Sequence, residues 1–210
     1  MSVTTTSDAA ALSRGHKKRS RTRQVLLDAA LEILAESGEG FSLGQVARRA
    51  GVSHGTFYNY FQDRDELMDA LVPYSVEAFA SRADLDVDTT DQAVRFATIS
   101  ARALRVATES PNTMRVALGI AAIQRALLIE GPLSYLHANL VDGHRSGRFT
   151  TEPDEGTLDV ILGALLLAGR RAVEGESDER HITTVIERLL MTLGLPGAEA
   201  RTIAFAAVRS

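Results

Sequence analysis

The residues of this chain that could do chemistry crowd into one stretch, Ser42 to Phe61, which reads SLGQVARRAGVSHGTFYNYF. Within it, Gly51-Val52-Ser53-His54-Gly55 fits the G-x-S-x-G pattern of a hydrolase nucleophile elbow. Such an elbow needs a buried strand ahead of the serine. Here the preceding LGQVARRA patterns as a capped helix, so hydrolysis by Ser53 and His54 is the weaker reading. The stronger one is recognition. Ser42 and Gln45 have capping-box spacing, and Val46, Ala47 and Ala50 share a helical face. Gly51 suits the left-handed residue that stops a helix, and Ser53 can cap a second helix from His54 to Phe61. Two helices joined by a turn of about 3–4 residues containing Gly form a helix-turn-helix, whose second helix enters the DNA major groove. Side chains at its start reach base edges, which points to His54 and Thr56, with Gly55 permitting close approach; Ser53 is a further DNA-binding candidate. Ser42, Arg48 and Arg64 are expected to anchor phosphates. Phe57 and Phe61 read as core, and Arg49 as a solvated face or a further contact.

The elements that must hold these residues follow from apolar spacing. Residues 1–18 read as a disordered polar-then-basic arm, in which Lys17 and Lys18, with Arg19 just beyond it, could follow phosphates or a minor groove. A helix from Arg19 to Ser37 carries the stripe Val25, Leu26, Ala29, Ala30, Ile33 and Leu34. Phe41 packs beneath it. Asp63 and Glu66 form another capping box, opening a helix that Pro73 should kink or end. Leu85 to Asp91 reads as a linker. Helices then span about Asp91–Thr108, Pro111–Leu128, Leu133–Arg145, Pro153–Arg171 and Asp178–Leu193. Gly194 and Pro196 stop the last one, leaving a tail. The domains expected are a DNA-binding unit at 19–66, a helical unit at 67–197 and a tail at 198–210.

Composition agrees with an all-α chain. Of 210 residues, 45% are hydrophobic and only 5% aromatic, and β-branched residues do not alternate. There is no Cys, hence no disulfide and no Cys-ligated metal. The five histidines show no metalloprotease spacing, and Asp84, Asp86, Asp88 and Asp91 lack the Gly and the closing Glu of a calcium loop. No cofactor and no metal are expected. The longest apolar run, 160–168, is far short of the ~20 residues that span a bilayer. No secretory signal is read at the N-terminus, so a soluble cytoplasmic protein with no membrane partner is expected. The net charge of −4 is unevenly placed. Arg14 to Arg23 hold six Lys or Arg and no acid, whereas from residue 71 onward 14 basic residues face 18 acidic ones. Phosphates respond to the local patch, because the Debye length is only about 8–10 Å at physiological salt.

The residue order from Ser42 to Leu67, with its core AGVSHGTFYNYFQDRDEL, resembles the DNA-binding domain of the tetracycline-repressor (TetR) family; the likeness covers roughly Thr22 to Leu71. Asn59 stands where a His is frequent there, Arg64 where a Lys is frequent, and Gly44 lies early in the first motif helix. The resemblance implies that Tyr58, Asn59 and Tyr60 donate to phosphates. It also implies a homodimer on a palindromic double-stranded operator, released by a small ligand held among the middle helices. Polar residues within apolar stretches are candidates for that pocket: Gln124, Tyr135, His137, Asn139 and Arg170. Its mostly apolar surroundings suggest an uncharged or lipid-like ligand. Two late helices are unusually apolar and can complete the core of one chain or pair with their copies in a four-helix bundle; the second reading is favoured, through Leu158, Ile161, Leu162, Leu165, Ile182, Val185, Ile186 and Leu189. One alternative keeps the DNA-bound regulator but lets the C-terminal domain dock a protein partner; the remote alternative is a serine hydrolase using Ser53.

Overall fold

The computed structural model describes residues 6–127 and 135–210, all helix, turn and loop. The order is α1 (Thr6–Ser37), α2 (Leu43–Arg49), α3 (His54–Tyr58), α4 (Arg64–Ala83), α5 (Gln92–Glu109), α6 (Pro111–Gly119), α7 (Ala121–Arg125), α8 (Tyr135–Arg145), α9 (Glu155–Val173), α10 (Glu179–Thr192) and α11 (Gly197–Arg209). The chain divides into two compact units, Met1–Tyr74 and Ser75–Ser210, so the boundary falls inside α4 and not at 66/67.

The first unit is built on the α1 stripe. Leu26, Ala29, Ala30, Ile33 and Leu34 are buried with Phe41, Val46, Phe57, Phe61, Leu67 and Leu71, whereas Val25 is exposed and Leu27 takes its place in the core. Gly38 (φ +64) ends α1 and Gly51 (φ +69) ends the α2 segment, both in the left-handed region that glycine enters without steric cost. Helix α1 begins at Thr6, which corrects the disordered arm expected over 1–18; residues 1–5 lie outside the described residues. The run Ala9-Ala10-Ala11-Leu12 supplies strong helix formers in continuity with the stripe. At α4 the Asp63 carboxylate accepts from Glu66 N–H at 2.8 Å, and Glu66 reaches back to the N–H of Gln62 at 2.6 Å. The helix runs through Pro73 to Ala83.

In the second unit α5 is the hub, packing against α6, α8, α9, α10 and α11. Ala93, Phe96, Ala97, Ala101 and Leu104 form its buried face. The helix expected over Pro111–Leu128 is broken at Ile120, whose extended backbone (φ −107, ψ 110) separates α6 from α7. Gly119 ahead of it weakens helix propensity, and Ile120 is buried at the break. The expected tail at 198–210 is a helix, α11, seated by Ala200, Ala204 and Ala207 against α5 and α10. The linker before α5 is pinned: Arg102 donates to the Asp84 carboxylate and to the Asp86 carbonyl, each at 3.2 Å. Asp91 N-caps α5.

Candidate functional site

In the first unit both caps of the helix-turn-helix form as spaced. Ser42 Oγ accepts from Gln45 N–H at 3.3 Å, and the Gln45 side chain accepts from Ser42 N–H at 2.7 Å. Ser53 Oγ accepts from Thr56 N–H at 3.1 Å. The segment ahead of Ser53 is α2, not a strand, and Ser53 Oγ pairs with Thr56 Oγ1 at 2.8 Å, so the strand-borne elbow of a hydrolase is absent here. Phe57 is fully buried and its neighbours turn outward: His54, Gly55, Tyr58 and Asn59 are exposed, and Thr56 and Tyr60 half-buried. His54 and Tyr58, one turn apart, meet edge to face with ring centroids 4.9 Å apart.

Basic residues of α1 stand beside this helix. Lys18 and Arg19 border a shallow hollow with Thr56, Asn59 and Tyr60. The Arg19 guanidinium lies 5.9 Å from the Tyr60 ring centroid, and that of Arg23 lies 5.3 Å from Phe61. Lys17 is exposed. The two adjacent arginines of α2 diverge. Arg49 bridges to Glu32 at 3.1 Å and Glu36 at 2.7 Å on α1, and its hydrogen bond holds the Glu36 carboxyl below the ordinary glutamate range. Arg48 is exposed and makes no ion pair among the described residues, leaving its charge open to a phosphate. Arg64, expected at a phosphate, donates to the Phe41 carbonyl at 2.8 Å and to the Glu39 carbonyl, and lies over the Phe41 ring. It clamps the α1–α2 loop.

In the second unit a cavity opens between helices. Its wall is almost wholly apolar, with Phe79 of α4, Met114 of α6, Leu136 of α8 and Leu165 of α9, and it contains Gln124 and Ser100. Of the polar residues singled out for a pocket, Gln124 alone reaches this cavity among the described residues. Asn139 is buried elsewhere, donating to Gln92 at 2.7 Å, whereas His137 and Arg170 are exposed. Tyr135 begins α8, but its side chain lies outside the described residues. Ser100 was missed; its signal was a single hydroxyl set between Ile99 and Ala101 on the buried face of α5.

The stripe expected to pair with a copy is largely used within the chain. Ile161, Ile182, Ile186 and Leu189 belong to the core of the second unit, and Leu158, Leu162, Leu165 and Val185 pack against it, half-buried. What α9 and α10 turn outward is Val160, Leu167 and Met191. None of the described helices is long and apolar enough to cross a membrane.

The family described as bacterial regulatory proteins, tetR family, matches residues 26–71 of this sequence, the segment that forms the helix-turn-helix. The helix-turn-helix segment is that of the TetR family. The fatty acid metabolism regulator protein of Bacillus subtilis is 33% identical over 72 residues, which is 34% of this chain and 37% of that relative. The transcriptional repressor LfrR of Mycolicibacterium smegmatis is 36% identical over 80 residues, 37% of this chain and 42% of LfrR. These relatives therefore match over well under half of their own length. Among solved structures, RolR in complex with resorcinol shares 27% identity over 90% of this chain and 95% of its own, with a TM-score of 0.60. A TetR family transcription regulator from Marinobacter aquaeolei shares the fold at 20% identity and a TM-score of 0.65, over 91% and 97% of the two chains. The relatives are transcription regulators and not enzymes.

Proposed function

We propose that this chain is a homodimeric TetR-family repressor that binds a palindromic operator and is released from it by a small molecule. The observation that carries this reading is the exposed donor set of the first unit. His54, Thr56, Tyr58 and Asn59 stand on or beside a capped recognition helix, and Lys18, Arg19 and Arg48 supply positive charge around it. Base-edge readers and phosphate anchors are thus divided as specific DNA binding requires. Ser42 donates its hydroxyl proton to the Gln45 side-chain oxygen at 3.0 Å and Ser53 pairs with the Thr56 hydroxyl, so each reaches a phosphate by turning its O–H outward, and Arg64 acts by shaping the loop. The cavity in the second unit supports the ligand; RolR, similar over nearly its whole length, binds resorcinol. A ligand releases DNA only if it prefers one spacing of the two recognition helices over the other. The outward Val160, Leu167 and Met191 support self-association through α9 and α10. A repressor of this kind works in the cytoplasm, on the nucleoid.

Binding of the purified chain to genomic fragments in ~150 mM salt, with sequencing of what is retained, tests the reading. The expected result is an enriched palindrome with half-sites about 34–36 Å apart or a multiple of that. Retention no better than for random DNA would overturn it.

A further inference from the structure

The cavity of the second unit limits what can occupy it; this inference rests on the ligand-released regulator proposed above. Among the described residues the wall offers two polar side chains. Ser100 on α5 is 2% exposed, and its Oγ has no hydrogen-bond partner. Gln124 on α7 is half-buried. No Lys, Arg, His, Asp or Glu lines the cavity among the described residues. Measured to the centre of a water-sized sphere the space is about 70 Å³, where a single water needs about 10–15 Å³. This is room for a small organic molecule and more than a packing flaw.

Three kinds of occupant separate on physical grounds. A carboxylate or ammonium would shed its hydration with no counter-charge to meet it, which costs several kcal/mol. A pure hydrocarbon would fill the apolar wall but leave the Ser100 hydroxyl as unsatisfied as it is now. A neutral molecule with a hydroxyl does both tasks. It buries its carbon skeleton against Phe79, Met114 and Leu165, and its O–H can donate or accept whichever way the Ser100 proton turns.

We propose that the cavity takes a neutral, mostly apolar small molecule bearing a hydroxyl, a phenol or alcohol, whose O–H pairs with Ser100 Oγ. Gln124 provides the second polar contact from the cavity edge.

Calorimetric titration of the full chain with 4-ethylphenol, ethylbenzene and octanoate tests this. The first two share a shape and differ in the hydroxyl, and the third is anionic at neutral pH. 4-Ethylphenol is expected to bind about tenfold more tightly than ethylbenzene, the scale of one hydrogen bond. Ser100→Ala should remove most of that difference while leaving ethylbenzene unchanged, and octanoate should not bind. Ala103→Leu, which fills the cavity from α5, should abolish binding of both aromatics with helix content intact by circular dichroism. The proposal is overturned if 4-ethylphenol does not bind, if ethylbenzene binds equally well, if octanoate binds most tightly, or if either variant leaves 4-ethylphenol affinity unchanged. Operator release is read separately. Ser100-dependent binding without release would keep the ligand chemistry and reject the release mechanism. Release by a molecule that does not need Ser100 would do the reverse.

Discussion

At Gly143 an added Cβ would stand 2.2 Å from Phe149 Cδ2 and 2.3 Å from Cε2. The Phe149 ring is itself fully buried, so it has nowhere to retreat. Gly143→Ala is expected to cost about 1–3 kcal/mol, the usual range for overpacking, measured as a fall in thermal midpoint. Gly44 is the opposite case. Its nearest foreign atoms, Cδ2 and Nε2 of His54, lie 3.9 Å from an added Cβ, an ordinary contact. Gly44→Ala should stabilise the first unit by up to about 1 kcal/mol through helix propensity; a lower thermal midpoint would contradict this. On the recognition surface, Arg48→Ala should weaken binding alike across DNA sequences and make the slope of log affinity against log salt shallower by about 1. An unchanged slope would take Arg48 off the list of phosphate contacts. Arg49, tied to Glu32 and Glu36, should leave that slope unaltered when replaced by Ala.

Among elements, Arg148 joins the start of α5 to the start of α11. Its guanidinium donates to both carboxylate oxygens of Asp91, at 3.0 and 3.1 Å, and pairs with Glu199 at 2.8 Å. Burial pushes the Asp91 carboxyl upward, but the Arg148 hydrogen bonds and the N–H groups of Val94 and Ala93 outweigh it and hold it below the ordinary range. A carboxyl lowered on folding contributes stability above its unfolded pKa and loses that contribution as pH falls through its folded one. The second unit should therefore lose stability at acid pH, below about 3.9, and Asp91→Asn should flatten that limb of the melting curve. Arg148→Ala should cost about 1–2 kcal/mol, between a surface pair and a buried one. These links also show what was legible in the sequence. Ser42, Gly51, Ser53 and Asp63 announced their caps because capping is decided within three or four residues. Ala200, Ala204 and Ala207 have helical spacing too, but Gly194 and Pro196 ahead of them and the small side chains hid α11 as a tail. The Arg148 junction joins residues far apart in sequence, and no local pattern marks it.

At the scale of the whole molecule, the same contrast separates the helix-turn-helix from the cavity. The first is one continuous segment whose residue order carries its shape. The second is a gap left where several helices fail to meet, so Gln124, singled out for its polarity, borders it, Ser100 was passed over, and His137 and Arg170 stand exposed away from it. Helices α9 and α10 read as a dimer stripe because they are apolar on more than one side. Only packing revealed that Ile161, Ile186 and Leu189 face inward. If α9 and α10 mediate assembly, Leu167→Glu, on the exposed side, should yield monomers by sedimentation with helix content unchanged. Operator affinity should fall sharply, because two half-sites are no longer engaged together. A dimer that survives this change would move the interface elsewhere.

The cavity also gives the chain a mechanical character. A hollow among packed side chains disappears when the chain unfolds, so the unfolded state occupies less volume than the folded one. Hydrostatic pressure then acts on the second unit through a cavity of about 70 Å³. A ligand that fills it makes the folded chain less compressible, and the midpoint of pressure unfolding should rise beyond what ligand affinity alone adds at ambient pressure.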